Sequence, residues 1–172
     1  MSSSKESLLA IKSELSQSDV NRRCAAIRSI AQSESAHFGI TTTVIRLVSD
    51  KNEEVSTWAC ESLVSRICPL PIEANDLIDL LRETKDGEVE YWAATMLGRL
   101  GPVASRATAV LANCLLESPC LAARERAAWA LSEIGPPARS AINALKQIGP
   151  EDPPRLQRLA AAAIQSVVNR AA

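Results

Sequence analysis

Aromatic residues are scarce in this sequence: three Trp, one Tyr and one Phe among 172 residues, 3% in all. The 47% hydrophobic content is therefore mainly Ala, Leu, Ile and Val, which favours closely packed helices over a β-sandwich core. Histidine is nearly absent. His37 is the one copy, in the stretch SESAHFG, so a zinc or iron centre of ordinary type cannot be assembled, nor can Cys–His or Ser–His catalysis. A lone histidine in a linker is expected to be a solvated surface residue. The cysteines, Cys24, Cys60, Cys68, Cys114 and Cys120, are odd in number and form no CxxC pair, which argues against a disulfide framework or a zinc knuckle. Cys24, Cys60 and Cys114 sit among apolar neighbours at helical spacing and read as small hydrophobes.

Glycine is also sparse, with six in all, most of them placed to end helices, so no phosphate-binding loop is present. Charge of one sign is not in excess: 19 basic against 20 acidic residues, net −1, where a nucleic-acid binder carries a basic stripe. No window approaches the roughly 18 uninterrupted apolar residues of a membrane span. The opening MSSSKESLLAIKSEL is broken by Lys12 and Glu14 and does not read as a signal peptide. The expectation is a cytoplasmic chain with no membrane partner, no cofactor and no metal.

What is present is a repeat. Val55-STWACESL, Val89-EYWAATML and Ala123-RERAAWAL align without a gap, 34 residues apart each time. Leu156-QRLAAAAI follows after 33, and a poorer copy, Val20-NRRCAAI, precedes Val55 by 35. Within each copy apolar residues fall at the first, fifth and ninth positions, as in Val89, Ala93 and Leu97, which is one stripe of an α-helix. A second amphipathic helix precedes each copy, over 40–48, 77–81, 107–116 and 140–148. Gly101-Pro102, Gly135-Pro136-Pro137 and Gly149-Pro150 pair a helix-ending Gly with a helix-starting Pro. The pattern predicts an all-α chain: one domain over 1–172 made of five antiparallel helix pairs (5–32, 40–68, 73–100, 103–134 and 138–170) stacked as a right-handed solenoid.

The run Leu97-GRLGPVASRATAVLANCLLES, continued by Ala123-RERAAWALSEIGPPARSAINAL, resembles the HEAT-repeat superfamily. More narrowly it is similar to the short bacterial HEAT-like repeats of the phycobilin lyase type, with a VRxxAAxALGxIG second helix followed by Pro and an AxxAL first helix. The likeness is good over 89–148, moderate over 40–88 and 154–170, and weak over 5–32. A 34-residue period is also that of tetratricopeptide repeats, but those want Trp and Tyr in the first helix, whereas here the Trp residues lie in the second. The Arg that follows the leading Val in the family pattern is matched by Arg124 and placed at Arg22 in the first copy; Ser56, Glu90 and Gln157 replace it elsewhere. The single His excludes the His-rich metal site of deoxyhypusine hydroxylase, another HEAT-like protein. The resemblance implies a scaffold that binds another protein or peptide through the concave face lined by second helices. A bilin lyase-like, ligand-handling subunit is the alternative, and a DNA-directed protein, like the alkylation-repair glycosylases of related fold, is a third reading that the balanced charge disfavours.

With positions one, five and nine buried, positions three, seven and ten should point outward. These are Thr57, Glu61 and Val64; Tyr91, Thr95 and Gly98; Glu125, Trp129 and Ser132; Arg158, Ala162 and Gln165. The flanking fourth position reads Trp58, Trp92, Arg126 and Leu159; Trp58 and Trp92 at one register fit packing between repeats. Tyr91, Trp92, Glu125, Arg126 and Trp129 are the expected partner-binding patch, with Gly98 leaving open space beside the aromatics, because Trp, Tyr and Arg dominate binding hot spots. Asp50, Glu53, Glu54, Asp86, Glu88, Glu90, Glu151 and Asp152 gather at the turns, where they read as helix-start chemistry on a solvated edge or as a field steering a basic partner. The final helix, 155–172, carries Leu159, Ile164, Val167 and Val168; apolar surface left over there would pair two copies as a homodimer.

Overall fold

The computed structural model describes residues 2–169. The chain forms two compact units, Met1–Leu70 and Pro71–Ala172. The first contains α1 (Ser2–Leu15), α2 (Val20–Ala31), α3 (Thr41–Arg46) and α4 (Glu53–Ser65). The second contains α5 (Ala74–Glu83), α6 (Gly87–Leu100), α7 (Thr108–Glu117), α8 (Leu121–Ile134), α9 (Ile142–Leu145) and α10 (Pro154–Asn169). The fold class is all-α, as the repeat predicts; among the described residues the one β-type contact is an isolated bridge between His37 and Ile67. Residues 170–172 of the predicted last helix lie outside the described residues.

The second helices are α2, α4, α6, α8 and α10. They begin where the sequence supplies a cap. Asp19 accepts from the N–H groups of Asn21 and Arg22, Asn52 from Val55, and Asp86 from Glu88 and Val89, satisfying donors that a helix start leaves unpaired. Cys120 holds the same place before α8 without a side-chain cap. These caps set the register of the first copy: Arg23 stands four residues after Asp19, as Arg124 stands four after Cys120. Arg23, not Arg22, is the equivalent of Arg124. Gly101 and Gly135 end α6 and α8 with φ of 59° and 71°, a left-handed geometry that costs a side chain-bearing residue. The Pro after each opens a 3-10 turn, Gly101–Ala107 and Pro136–Ala141, which shortens the following first helix. The predicted 140–148 helix is accordingly reduced to α9, which ends before Gly149, and Gly149 has an ordinary φ.

The predicted stripe is the core. Val55, Ala59 and Leu63, then Ala93 and Leu97, then Ala123, Ala127 and Leu131 are all 0% exposed. In the second unit α8 packs between α6 and α10, and the small residues Ala93, Ala94, Ala127 and Ala128 let these helices approach closely. The apolar stripe of α10 turns inward, with Leu156, Ala160, Ala163 and Val167 buried and Val168 exposed.

Candidate functional site

The outward-pointing positions do not all reach solvent. At the centre of the second unit Thr95, Gly98 and Glu125 are buried, while Tyr91 and Trp129 are half-exposed. The cause lies in the neighbouring helix: Trp129 of α8 sits on Gly98 of α6, where an added Cβ would lie 2.4 Å from Cζ3 of the indole. Gly98 therefore leaves no open space. It is the notch that accepts Trp129.

Beside that notch is an open groove of about 200 Å³ on the α8 and α10 side. Tyr91, Glu125, Arg126 and Trp129 line it together with Ala122, Arg155 and Leu159. The guanidinium of Arg126 lies 4.9 Å from the Tyr91 ring centroid and 5.4 Å from that of Trp129, both within cation–π range. Its Nη2 donates to Tyr91 Oη at 2.8 Å. Tyr91 is in turn set edge-on against Trp92, with centroids 5.2 Å apart and an 89° interplanar angle. Glu125 forms an ion pair with Arg155, Oε2 to Nη1, at 3.3 Å. Thus four of the five expected patch residues converge. Trp92 is the correction: at 7% exposure it is a support behind Tyr91 and not part of the surface, because its position on α6 faces the packed interior. Arg155 and Ala122 were missed by the outward-position rule. Each stands one residue before the leading stripe position, a register that faces the groove across α8 and α10.

In the first unit the related constellation is neutralised. Arg28 lies 5.8 Å over the half-buried Trp58 ring and is paired with Glu54, which also accepts from Trp58 Nε1 at 3.4 Å. Trp58 thus packs towards the preceding helix pair, as its register predicts. His37 is not a solvated loop residue. Its backbone accepts from Cys68 N–H at 3.0 Å and donates to the Arg66 carbonyl at 2.7 Å, pinning the loop, and its Nε2 is shielded from solvent without a hydrogen-bond partner.

The turn carboxylates form ties between successive helix pairs and not a uniformly solvated edge. Arg23 binds Asp50 through Nε and Nη2 at 2.9 and 3.0 Å, and Arg124 binds Asp152 at 2.8 Å. At the same register Glu90 is buried and accepts from the Ser118 hydroxyl at 2.5 Å. Burial works to raise the Asp50 pKa, but the Arg23 fork and the Asn52 N–H outweigh it and hold the carboxyl below its ordinary value. The Gly149 N–H, then Arg124, lower that of Asp152. Both groups therefore bind protons more weakly folded than unfolded. Their stabilisation is complete above the ordinary carboxylate value of about 4 and is lost as pH falls below it towards the lowered folded values. Urea midpoints measured from pH 7 down to pH 2 should drop on acidification, and Asp50→Asn with Asp152→Asn should flatten that drop. An equal drop in the double variant would remove these ties as its cause.

Burial, then the charge of Glu90, pushes the Cys114 thiol up to about 12, leaving almost no thiolate at neutral pH. Among the described residues no three His, Cys, Asp or Glu side chains converge to hold a metal ion, and no helix is long and apolar enough to cross a membrane.

The structure is similar to solved repeat proteins. An engineered protein whose crystal structure was determined by the Northeast Structural Genomics Consortium matches with a TM-score of 0.61 and 21% identity, over 92% of this chain and 78% of that one. A designed armadillo repeat protein in complex with the peptide (KR)4 matches with a TM-score of 0.59 and 17% identity, over 91% of this chain and 80% of that one. At such identities the likeness is one of fold: an α-helical repeat solenoid. No match was found among curated proteins. In sequence, residues 74–166 match the HEAT repeats family. That span is more than half of the chain and runs from the start of α5 into α10, so by its repeats, their capping and their packing the chain belongs to the HEAT repeat family.

Proposed function

We propose that this protein is a non-catalytic binding module that takes a protein or peptide partner on the face formed by α6, α8 and α10. The observation that carries the reading is the Tyr91–Arg126–Trp129 cluster lining an open groove. Aromatic and Arg side chains held in place before binding lose little entropy on contact, and such residues supply most of the affinity at protein interfaces. Repeat solenoids present extended surfaces of this kind, and a designed protein of similar fold carries a bound peptide. The groove volume of about 200 Å³ is below the roughly 300–1,000 Å³ usual for small-molecule sites. That supports a partner's side chain as occupant over the linear tetrapyrrole that a lyase-type activity would require.

The test is affinity capture from native lysate with wild type, Tyr91→Ala and Ala122→Tyr. Ala122 is exposed at the start of α8, so tyrosine there fills the groove without entering the core. A partner held by the wild type should be retained about tenfold less by either variant, with thermal unfolding unchanged for Ala122→Tyr. Equal retention by all three proteins would place binding elsewhere on the molecule.

A further inference from the structure

The groove is not neutral, and its imbalance specifies a partner. Arg23, Arg28 and Arg124 are each answered by a carboxylate, from Asp50, Glu54 and Asp152. Arg126 is not. It is half-buried, within cation–π distance of two rings, and gives one N–H to Tyr91 Oη; among the described residues no carboxylate pairs with it. The one acid lining the groove, Glu125, is occupied by Arg155. Arg155 and Arg126 are the two cations that line the groove. Two arginines thus face one carboxylate, and the charge left over is that of Arg126, opposite in sign to the acidic turns.

We infer that Arg126 is the receptor for a carboxylate, and that the partner is an acidic peptide segment whose Asp or Glu side chain docks on the guanidinium while a neighbouring apolar residue covers Trp129 and Leu159. This rests on the binding reading above and gives it a polarity. The chemistry favours a carboxylate because a guanidinium held by two ring contacts and one hydrogen bond presents its remaining N–H groups as a planar fork, which a carboxylate matches with two parallel hydrogen bonds. The two rings and the Tyr91 hydroxyl hold the cation in place, and the N–H groups not given to Tyr91 are the part left to bind. A basic peptide would meet the like charge of Arg126, which no carboxylate in the groove answers.

The experiment measures binding of fluorescently labelled (ED)4 and (KR)4 peptides by anisotropy, with wild type, Arg126→Gln and Arg126→Lys, in the presence and absence of inorganic phosphate. The expected result is that (ED)4 binds, (KR)4 does not, and Arg126→Gln weakens (ED)4 by about tenfold. Arg126→Lys keeps the charge without the fork and should recover only part of that loss; full recovery would show a point charge to be sufficient and overturn the fork. Preference for (KR)4, or displacement of (ED)4 by phosphate at equal anion concentration, would overturn the carboxylate assignment while leaving the groove a binding site. The two readings fail separately. If Ala122→Tyr abolishes partner capture but Arg126→Gln does not, the acidic-segment inference falls alone; if neither variant affects capture, both fall. Thermal unfolding of Arg126→Gln and Arg126→Lys keeps loss of fold apart from loss of binding.

Discussion

Gly98→Ala should destabilise the protein by about 2 kcal/mol, the scale of overpacking in a close-packed interior, although alanine in a helix interior is normally better than glycine by about 1 kcal/mol. The sign is reversed by Trp129. A Cβ on Gly98 would lie 2.4 Å from Cζ3 and 2.9 Å from Cε3 of its ring, and 3.1 Å from the Cα of Ala130. The indole is rigid and the Ala130 contact is backbone, so α6 and α8 must part or Trp129 must leave its notch. Urea unfolding gives the measurement. The companion Gly98→Ala/Trp129→Leu, which removes the six-membered ring from the collision, should be more stable than Gly98→Ala alone. A Gly98→Ala protein at or above wild-type stability would show that the notch is not tight. Because Arg126 rests on the same indole, displacement of Trp129 should also weaken any partner that binds at the groove.

The second large effect is expected at Leu131→Ala, about 3 kcal/mol, in the range for a fully enclosed leucine whose site cannot collapse around the void. Leu131 is 0% exposed on α8, a helix packed between α6 and α10. Leu121, at the start of the same helix, is 41% exposed, and Leu121→Ala should change stability by less than about 1 kcal/mol. The pair separates burial from helix propensity, since both substitutions put the same residue into the same helix. Equal losses would mean that α8 is not stabilised chiefly through its buried stripe.

Much of this was legible in the chain itself. The 34-residue spacing of Val55, Val89 and Ala123 located α4, α6 and α8, and the apolar stripe named their buried residues, because a 3.6-residue helix lying on a core must repeat its apolar side chains at that period. Asp86 was readable as a cap from its place before the stripe. The weak first copy was misaligned at Val20, and its register became clear only through Asp19 as cap and Arg23 as the partner of Asp50.

The site was legible in part. Tyr91, Glu125, Arg126 and Trp129 follow from helical geometry applied to one helix at a time, and they do converge. That geometry treats every outward position as solvated, which holds only where no further helix pair is stacked. Thr95, Gly98 and Glu125 are covered in the second unit because outward from one helix is inward to the next. Acidic residues read as a solvated edge became, at Asp50, Glu90 and Asp152, hydrogen-bonded ties between successive helix pairs.

The sequence by itself therefore determined the second helices, their buried stripe and the repeat family, since each depends on spacings within one short stretch of chain. Only the tertiary structure decided that Trp129 fills the notch at Gly98, that Trp92 lies behind Tyr91, and that Arg126 lies against two rings without a carboxylate. Those facts depend on which side chains from different helices meet, and a periodic pattern fixes the direction of a side chain but not what stands opposite it.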